Sequence, residues 1–230
     1  MAELIILSPH FDDAVFDCWH AINQPQATVV TVFAGLPEQG TTTLWDRLCG
    51  QADSRKMVSM RIKENNAALR ETSASIKNLD FLDNQYHSAK ISIDEIVKII
   101  LASTPSDSSY LAPLAGSHLF RHPDHVMLRD VGVMIKGLGK KVCFYPDLPY
   151  MSIPKNAKPQ YLQKLSEQAS KLLGFPVSAT AKKLSQGELA AKNRAMSSYA
   201  SQFNMTNITS IGRLSILAKR DYEVILQPDN

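Results

Sequence analysis

"ELIILSPHFDD", residues 3–13, runs four consecutive aliphatic residues into a histidine, a phenylalanine and two adjacent aspartates. An unbroken apolar run of this length suits a strand covered on both faces, as in a parallel sheet. "ATVVTVF" (27–33) has the same character. Working outward, strand-like and helix-like patterns alternate. Val58, Ile62, Leu69 and Ile76 recur at steps of four and seven and predict a helix with one buried stripe over 55–78. "LDFL" (79–82) reads as a strand. Ser92 with Glu95 forms a capping-box pattern opening a helix through Ile96, Ile99 and Ile100. "SYLAPL" (109–114) and "KVCFY" (141–145) read as strands, with a helix from about Asp124 to Ile135 between them.

Beyond these, Leu162, Leu165, Ala169 and Leu172 share a helical face that stops at Gly174, where a helix C-terminus favours glycine. A second capping box, Ser185 with Glu188, opens a helix to about Ser201. "LSILAK" (214–219) and "YEVILQ" (222–227) flank Arg220-Asp221 and read as a strand pair. Such alternation predicts an α/β fold with a mostly parallel sheet and helices on both faces. One domain over residues 1–230 is expected from the length. Two poorly patterned stretches, 35–54 and 146–160, are long enough to serve as binding loops.

Composition narrows the function classes. Apolar residues make up 44% of the chain, charged residues 20%, and the formal charge is +3, which excludes a disordered chain and gives no basic footprint for a nucleic-acid partner. The apolar run at 4–7 is too short for a membrane span and lacks a basic region before it, so a cytoplasmic protein without a transmembrane segment is expected. Three cysteines, Cys18, Cys49 and Cys143, at wide spacing form no C-x-x-C pair and are expected reduced.

Ligands of an open α/β sheet gather outside the carboxyl ends of its strands. His10, Asp12 and Asp13 follow the first strand. "HLFRHPDH" (118–125), with His118, His122, Asp124 and His125, follows the strand at 109–114. Each cluster alone has an ordinary structural explanation: "HFDD" as a helix N-cap, and "HPDH" as a proline-initiated helix. Together, after two strands of one sheet, they point to a divalent metal held by two imidazoles and a carboxylate with a position open to water. His10, Asp13 and His125 could supply those ligands, leaving Asp12 and His122 as the residue types a hydrolase uses for general base and acid.

The chain here resembles the PIG-L/LmbE-like family of metal-dependent N-deacetylases. The family's motifs, (A/S)PH-x-DD(E/A) and HPDH, stand as Ser8-Pro9-His10-Phe11-Asp12-Asp13-Ala14 and His122-Pro123-Asp124-His125. "TVFAGLP" (31–37), "WDRLCG" (45–50), "LDFLDNQY" (79–86), "YPDLPY" (145–150) and "KNRAMSSYASQ" (192–202) resemble family segments in family order. Phe11 stands where proline is common, and Ala14 where glutamate is frequent. The resemblance implies a Rossmann-like, LmbE-like fold and removal of an acetyl group from an N-acetylglucosamine-type small molecule or glycoconjugate. It also implies one zinc ion, with ferrous iron as an alternative, bound by His10, Asp13 and His125. Asp12 would be the general base, His122 would polarise or protonate, and Asp124 would orient a histidine.

Candidate substrate contacts are Asp83, at a strand end where the resemblance implies a carboxylate that binds a sugar hydroxyl and where a helix or turn cap is the alternative; Arg61, which either meets an acidic group or pairs with Glu64 on an exposed helix face; and Trp45 and Tyr150, in the two long loops, which could stack on a sugar ring or anchor their loops. Two rival readings remain: a metal-dependent hydrolase of a non-sugar amide or phosphoester, and a catalytically silent sugar-binding protein.

Overall fold

The computed structural model describes residues 2–86, 91–115, 122–147, 156–202 and 220–229. In chain order the elements are β1 (Leu4–Ser8), α1 (Asp13–Asp17), α2 (Trp19–Ile22), β2 (Ala27–Thr31), α3 (Leu44–Leu48), α4 (Ser54–Leu69), β3 (Ser75–Asn78), a short 3-10 turn (Asn84–Tyr86), α5 (Ile93–Ala102), β4 (Ser109–Pro113), α6 (Pro123–Gly137), β5 (Lys141–Tyr145), α7 (Pro159–Leu173), β6 (Val177–Lys183), α8 (Gln186–Met196) and β7 (Tyr222–Pro228). They build a seven-stranded sheet of order β3-β2-β1-β4-β5-β7-β6. The first five strands are parallel, and β7 and β6 join antiparallel. The expected mixed α/β architecture, Rossmann-like and mostly parallel, is the one observed.

Side-chain alternation along each strand sorts the core into two layers. Ile5 and Leu7 of β1, with Val30 of β2 and Tyr110 and Ala112 of β4, meet α5, α6 and α7 on one face. Ile6, Val29 and Leu111 meet α1, α2, α4 and α8 on the other. That double coverage is why the central strands read as continuous apolar runs instead of alternating ones. Among the described residues, no helix is long and apolar enough to cross a membrane. Cys18, Cys49 and Cys143 are free thiols.

Several element boundaries differ from the sequence pattern, each for a physical reason. The helix expected over 55–78 ends at Leu69, where Thr72 turns back: its hydroxyl and amide both bond the Leu69 carbonyl, at 2.8 and 3.0 Å. Ile76 belongs instead to β3, an edge strand with little burial and hence no apolar signature. The expected strand at 79–82 runs past the sheet, retaining one bridge between Phe33 and Asp80. β6 escaped the pattern because only Val177 of its seven residues is buried. It is β6 that pairs with β7; "LSILAK", the partner expected from sequence, lies outside the described residues. Ser92 occupies the N-cap of α5 without a side-chain cap bond, whereas the Ser185–Glu188 capping box is formed in full. Gly174 closes α7 at φ +80°.

Where α6 crosses the sheet the backbones come close. A Cβ placed on Gly132 would lie 2.6 Å from the Ala112 Cβ and 3.1 Å from a Phe144 ring carbon. In an exposed helix interior, glycine to alanine gains about 1 kcal/mol. Here overpacking outweighs that, so Gly132→Ala should lower stability by about 1–3 kcal/mol, read as a reduced urea midpoint at constant m-value; an unchanged or higher midpoint would contradict this packing.

Candidate metal centre

β1 lies between β2 and β4. The chain leaves β1 toward α1 on one face and leaves β4 toward α6 on the other, so the loops diverge and open a crevice at the carboxyl end of the sheet. The two polar clusters meet there. On the β1 side, β2 carries the loop backbone beyond the strand: Val32 N–H donates to the Ser8 carbonyl (2.9 Å) and Phe33 N–H to that of Pro9 (3.1 Å). Ser8, fully buried, then folds the loop on itself. Its hydroxyl donates to the His10 carbonyl at 2.6 Å and accepts from Ala14 N–H at 3.1 Å. Tyr145, at the end of β5, donates to the Leu7 carbonyl at 2.9 Å and ties β5 to the same loop. Phe11, where the family favours proline, buries its ring in the α1/α8 core, and Ala14 is buried beside it.

On the β4 side, Ala115 begins the loop at φ +49°, a conformation that costs a non-glycine residue of order 1–3 kcal/mol and is frequent near functional sites. The loop returns at His122, which is the N-cap of α6, with Pro123 opening the helix and Asp124 and His125 in its first turn. The proline-initiated helix is thus real, and it is the device that aims these side chains inward.

Three atoms converge. His10 Nδ1 and His125 Nε2 are 3.2 Å apart, and each lies 3.5 Å from Asp13 Oδ2. Donors bound at zinc distances around a tetrahedral ion are separated by about 3.3–3.5 Å. The triangle therefore has the size such an ion requires. His10, His122 and His125 also offer nitrogens within 4.8 Å of one another, a looser set lacking the carboxylate. The outer ring nitrogens are engaged: His10 Nε2 is 3.0 Å from Asp124 Oδ2, and His125 Nδ1 is 2.5 Å from Asp147 Oδ2. A proton on each outer nitrogen leaves the inner lone pairs pointing at the common centre, the arrangement metal-bound imidazoles use. The sequence reading missed Asp147, although it stands in the "YPDLPY" segment just past β5; its identity as an aspartate emerging from a buried strand was the available signal.

Electrostatics set the groups apart. Burial disfavours the charge on Asp13, but His125 and His10 beside it prevail and hold it well below the usual carboxylate range. Burial would lower His10, yet its bonds to Asp124 and Asp13 hold it well above the usual imidazole value. Asp12 behaves oppositely: burial and the adjacent Asp13 charge push it up to about 6. Asp12 sits at the N-cap of α1 but makes no side-chain cap bond, so the cap reading of "HFDD" applies to its backbone alone. Burial, with His10 and His125 nearby, lowers His122 to about 4. Its Nδ1 accepts from Asp124 N–H in a long 3.4 Å bond, which assigns the proton of the neutral ring to Nε2.

The other candidates fall at different distances from the centre. Asp83 is buried, with Oδ2 3.9 Å from His10 Nε2, and it also caps its own turn by accepting from Gln85 N–H (3.0 Å) and Gln85 Nε2 (2.9 Å). Arg61 is buried, not exposed, and its ion partner is Asp46 at 3.5 Å, not Glu64. Glu64 instead accepts from the Ser201 amide and hydroxyl. Arg61 thereby anchors α3, where Trp45 is half-buried, while Tyr86 donates to the same Asp46 carboxylate at 3.1 Å. Tyr150 and His118 lie outside the described residues.

Against known families, residues 5–136 match the PIG-L family, described as GlcNAc-PI de-N-acetylase. The chain belongs to the PIG-L family. Among curated proteins no sequence match is found. Similar solved structures include the zinc-inhibited form of a teicoplanin deacetylase (20% identity, TM-score 0.70, covering 100% of this chain and 99% of that one) and the deacetylase of the A40926 pseudoaglycone (21%, TM-score 0.73, 99% and 97%). The N,N'-diacetylchitobiose deacetylase from Pyrococcus horikoshii is more distant (14%, TM-score 0.50, 98% and 84%). At these identities the likeness establishes a shared fold spanning almost the whole of this PIG-L chain.

Asp147 supports His125 without occupying the triangle. Asp147→Ala should weaken divalent-metal affinity about 10- to 100-fold without abolishing it, measured by titrating the metal-free protein with Co2+ or Zn2+; affinity equal to the parent's would remove Asp147 from the centre.

Proposed function

We propose that this chain is a metal-dependent N-deacetylase that removes the acetyl group from an N-acetylated amino sugar. The observation carrying this reading is the triangle of His10 Nδ1, Asp13 Oδ2 and His125 Nε2, sized for one divalent cation. The donor set supports it further. Asp13, Asp83, Asp124 and Asp147, all buried, crowd around His10, His122 and His125, with the half-buried Asp12 beside them, and a dication offsets buried carboxylate charge that imidazoles alone offset poorly. Zinc and ferrous iron both suit imidazole and carboxylate donors.

When bound, the ion would make a water acidic near neutral pH and draw charge from the acetamide oxygen. The protein's own groups do the rest. His10 and His125 present their inner nitrogens because Asp124 and Asp147 hold the outer ones. Asp12, unencumbered by a cap bond, takes the proton from the attacking water and returns it to the departing amine. His122, neutral with its proton on Nε2, donates to the oxygen that gains charge; it acts as a hydrogen-bond donor more readily than as an acid. Asp83, buried with Oδ2 3.9 Å from His10 Nε2, is placed to accept from a sugar hydroxyl that enters the site.

A second reading draws on His10, Asp83, His122 and Asp124, whose ligand atoms also lie within 4.8 Å of one another. Two ions there would favour phosphoester hydrolysis. It is the weaker reading, because His10 Nε2 is already bonded to Asp124.

Acetate release from N-acetylglucosamine derivatives, with metal content measured alongside, separates these readings. One ion per chain and acetate release are expected; two ions with phosphatase activity, or neither activity, would overturn the deacetylase assignment. In the same assay Asp13→Ala should lose the metal, whereas Asp12→Ala should retain it and lose about 10²–10⁴ in turnover. Equal metal loss in both variants would contradict this division of roles.

A further inference from the structure

We infer that Tyr199 is a positioning residue for Asp12, acting through the backbone of Phe11. The Tyr199 side chain is fully buried, packed edge-on against Phe16 at 5.8 Å between ring centroids. Its hydroxyl lies 3.0 Å from the Phe11 carbonyl oxygen and 2.9 Å from Asn65 Oδ1. A phenol has one hydrogen and both of these oxygens accept, so in this orientation of Asn65 the hydroxyl can bond only one of them. Turning the Asn65 amide by 180° about χ2 satisfies both groups: Nδ2, a buried donor otherwise without a partner, then donates to the phenol oxygen, and the hydroxyl hydrogen goes to the Phe11 carbonyl.

The consequence for Asp12 follows from peptide geometry. The Phe11 carbonyl and the Asp12 amide share one rigid plane. Fixing that carbonyl fixes the rotation of the plane, and hence the direction in which the Asp12 Cα–Cβ bond leaves the chain. Asp12 depends on this because its carboxylate makes no cap bond further into the helix and the backbone N–H that favours its charge is its own, lying in that same plane. Asp13, by contrast, is held independently: its Oδ2 accepts from His10 N–H at 2.8 Å.

Tyr199 is itself held by the helix opposite. Beside the Tyr199–Asn65 contact, Ser201 bonds Glu64 through both amide (2.9 Å) and hydroxyl (2.6 Å), and the Gln202 amide, with its oxygen turned toward Arg61, accepts from that guanidinium at 2.7 Å. Residues 199–202 are therefore clamped to α4 at positions 61, 64 and 65. The "SSYASQ" stretch, distant in sequence from both motifs, thus reaches the catalytic loop through one phenol.

Because the role assigned to Asp12 rests on the deacetylase reading, the test has one arm that needs no substrate. In a crystal structure of metal-loaded Tyr199→Phe, the Phe11–Asp12 peptide should rotate and the Asp12 carboxylate shift, with His10, Asp13 and His125 in place. An unmoved Asp12 overturns the inference whatever the substrate proves to be. Co2+ affinity should stay within about twofold of the parent's, since the triangle is independent of the phenol; a loss as large as that of Asp13→Ala overturns it. In the acetate assay, Tyr199→Phe should lower kcat about 10- to 100-fold with little change in KM. On an Asp12→Ala background the same substitution should cost nothing more, because its target is gone; a multiplicative loss there would assign Tyr199 a merely structural role. Asn65→Ala, which leaves the phenol in place, should give a smaller loss of kcat in the same direction; a larger loss than that of Tyr199→Phe counts against it.

Discussion

Five carboxylates share one crevice with three imidazoles, and the surrounding protein can tolerate that only with compensation. Burying a like-charged group is expensive unless it is paired and hydrogen-bonded. Each aspartate here meets the demand differently. Asp13 faces two imidazoles; Asp124 and Asp147 each bond the outer nitrogen of one ring; Asp83 is held by Gln85. At Asp12 burial and the Asp13 charge outweigh the help of His10, its own backbone N–H and Arg61, which is why its proton affinity rises toward neutrality. The same crowding that suits the pocket to a cation also gives Asp12 and Asp13, adjacent in the chain, opposite shifts in proton affinity.

Scaffold geometry explains why adjacent residues take different roles. Asp12 stands at the N-cap of α1 and Asp13 one residue inside it, so their side chains leave the helix start in different directions. β2 holds the loop backbone through Ser8 and Pro9, and the Ser8 hydroxyl bridges His10 to Ala14. On the opposite wall, a single helix start presents His122, Asp124 and His125 together. Gly132 lets that helix approach β4 and β5 closely, and Tyr145 ties β5 back to β1. Membership of the PIG-L family agrees with this economy: the matched residues 5–136 include both short motifs, and the intervening segments set their separation.

Much of this was legible before any coordinates. The continuous apolar runs of β1, β2 and β4 follow from burial on both faces. "HFDD" and "HPDH" announced themselves because ionisable groups directly after buried strands are costly unless used. What escaped notice did so because its signal is weak in one dimension. β3 and β6 are exposed edge strands with no apolar run to mark them. Arg61 looked like an exposed helix arginine with a Glu64 partner three residues away, since helical spacing predicts that pair; burial against α3 gave it Asp46 instead.

The amino-acid order alone determined the fold class, the two motifs and the residue types able to hold a cation, because these depend on local periodicity and side-chain chemistry. Only the tertiary structure decided that His10 Nδ1 and His125 Nε2, more than a hundred positions apart, lie 3.2 Å from each other, that Asp124 serves His10 while Asp147 serves His125, and that Tyr199 reaches the loop at Phe11. Such pairings depend on which strands become neighbours, and β1 beside β4 is a choice made by packing the whole sheet, not by any segment of it.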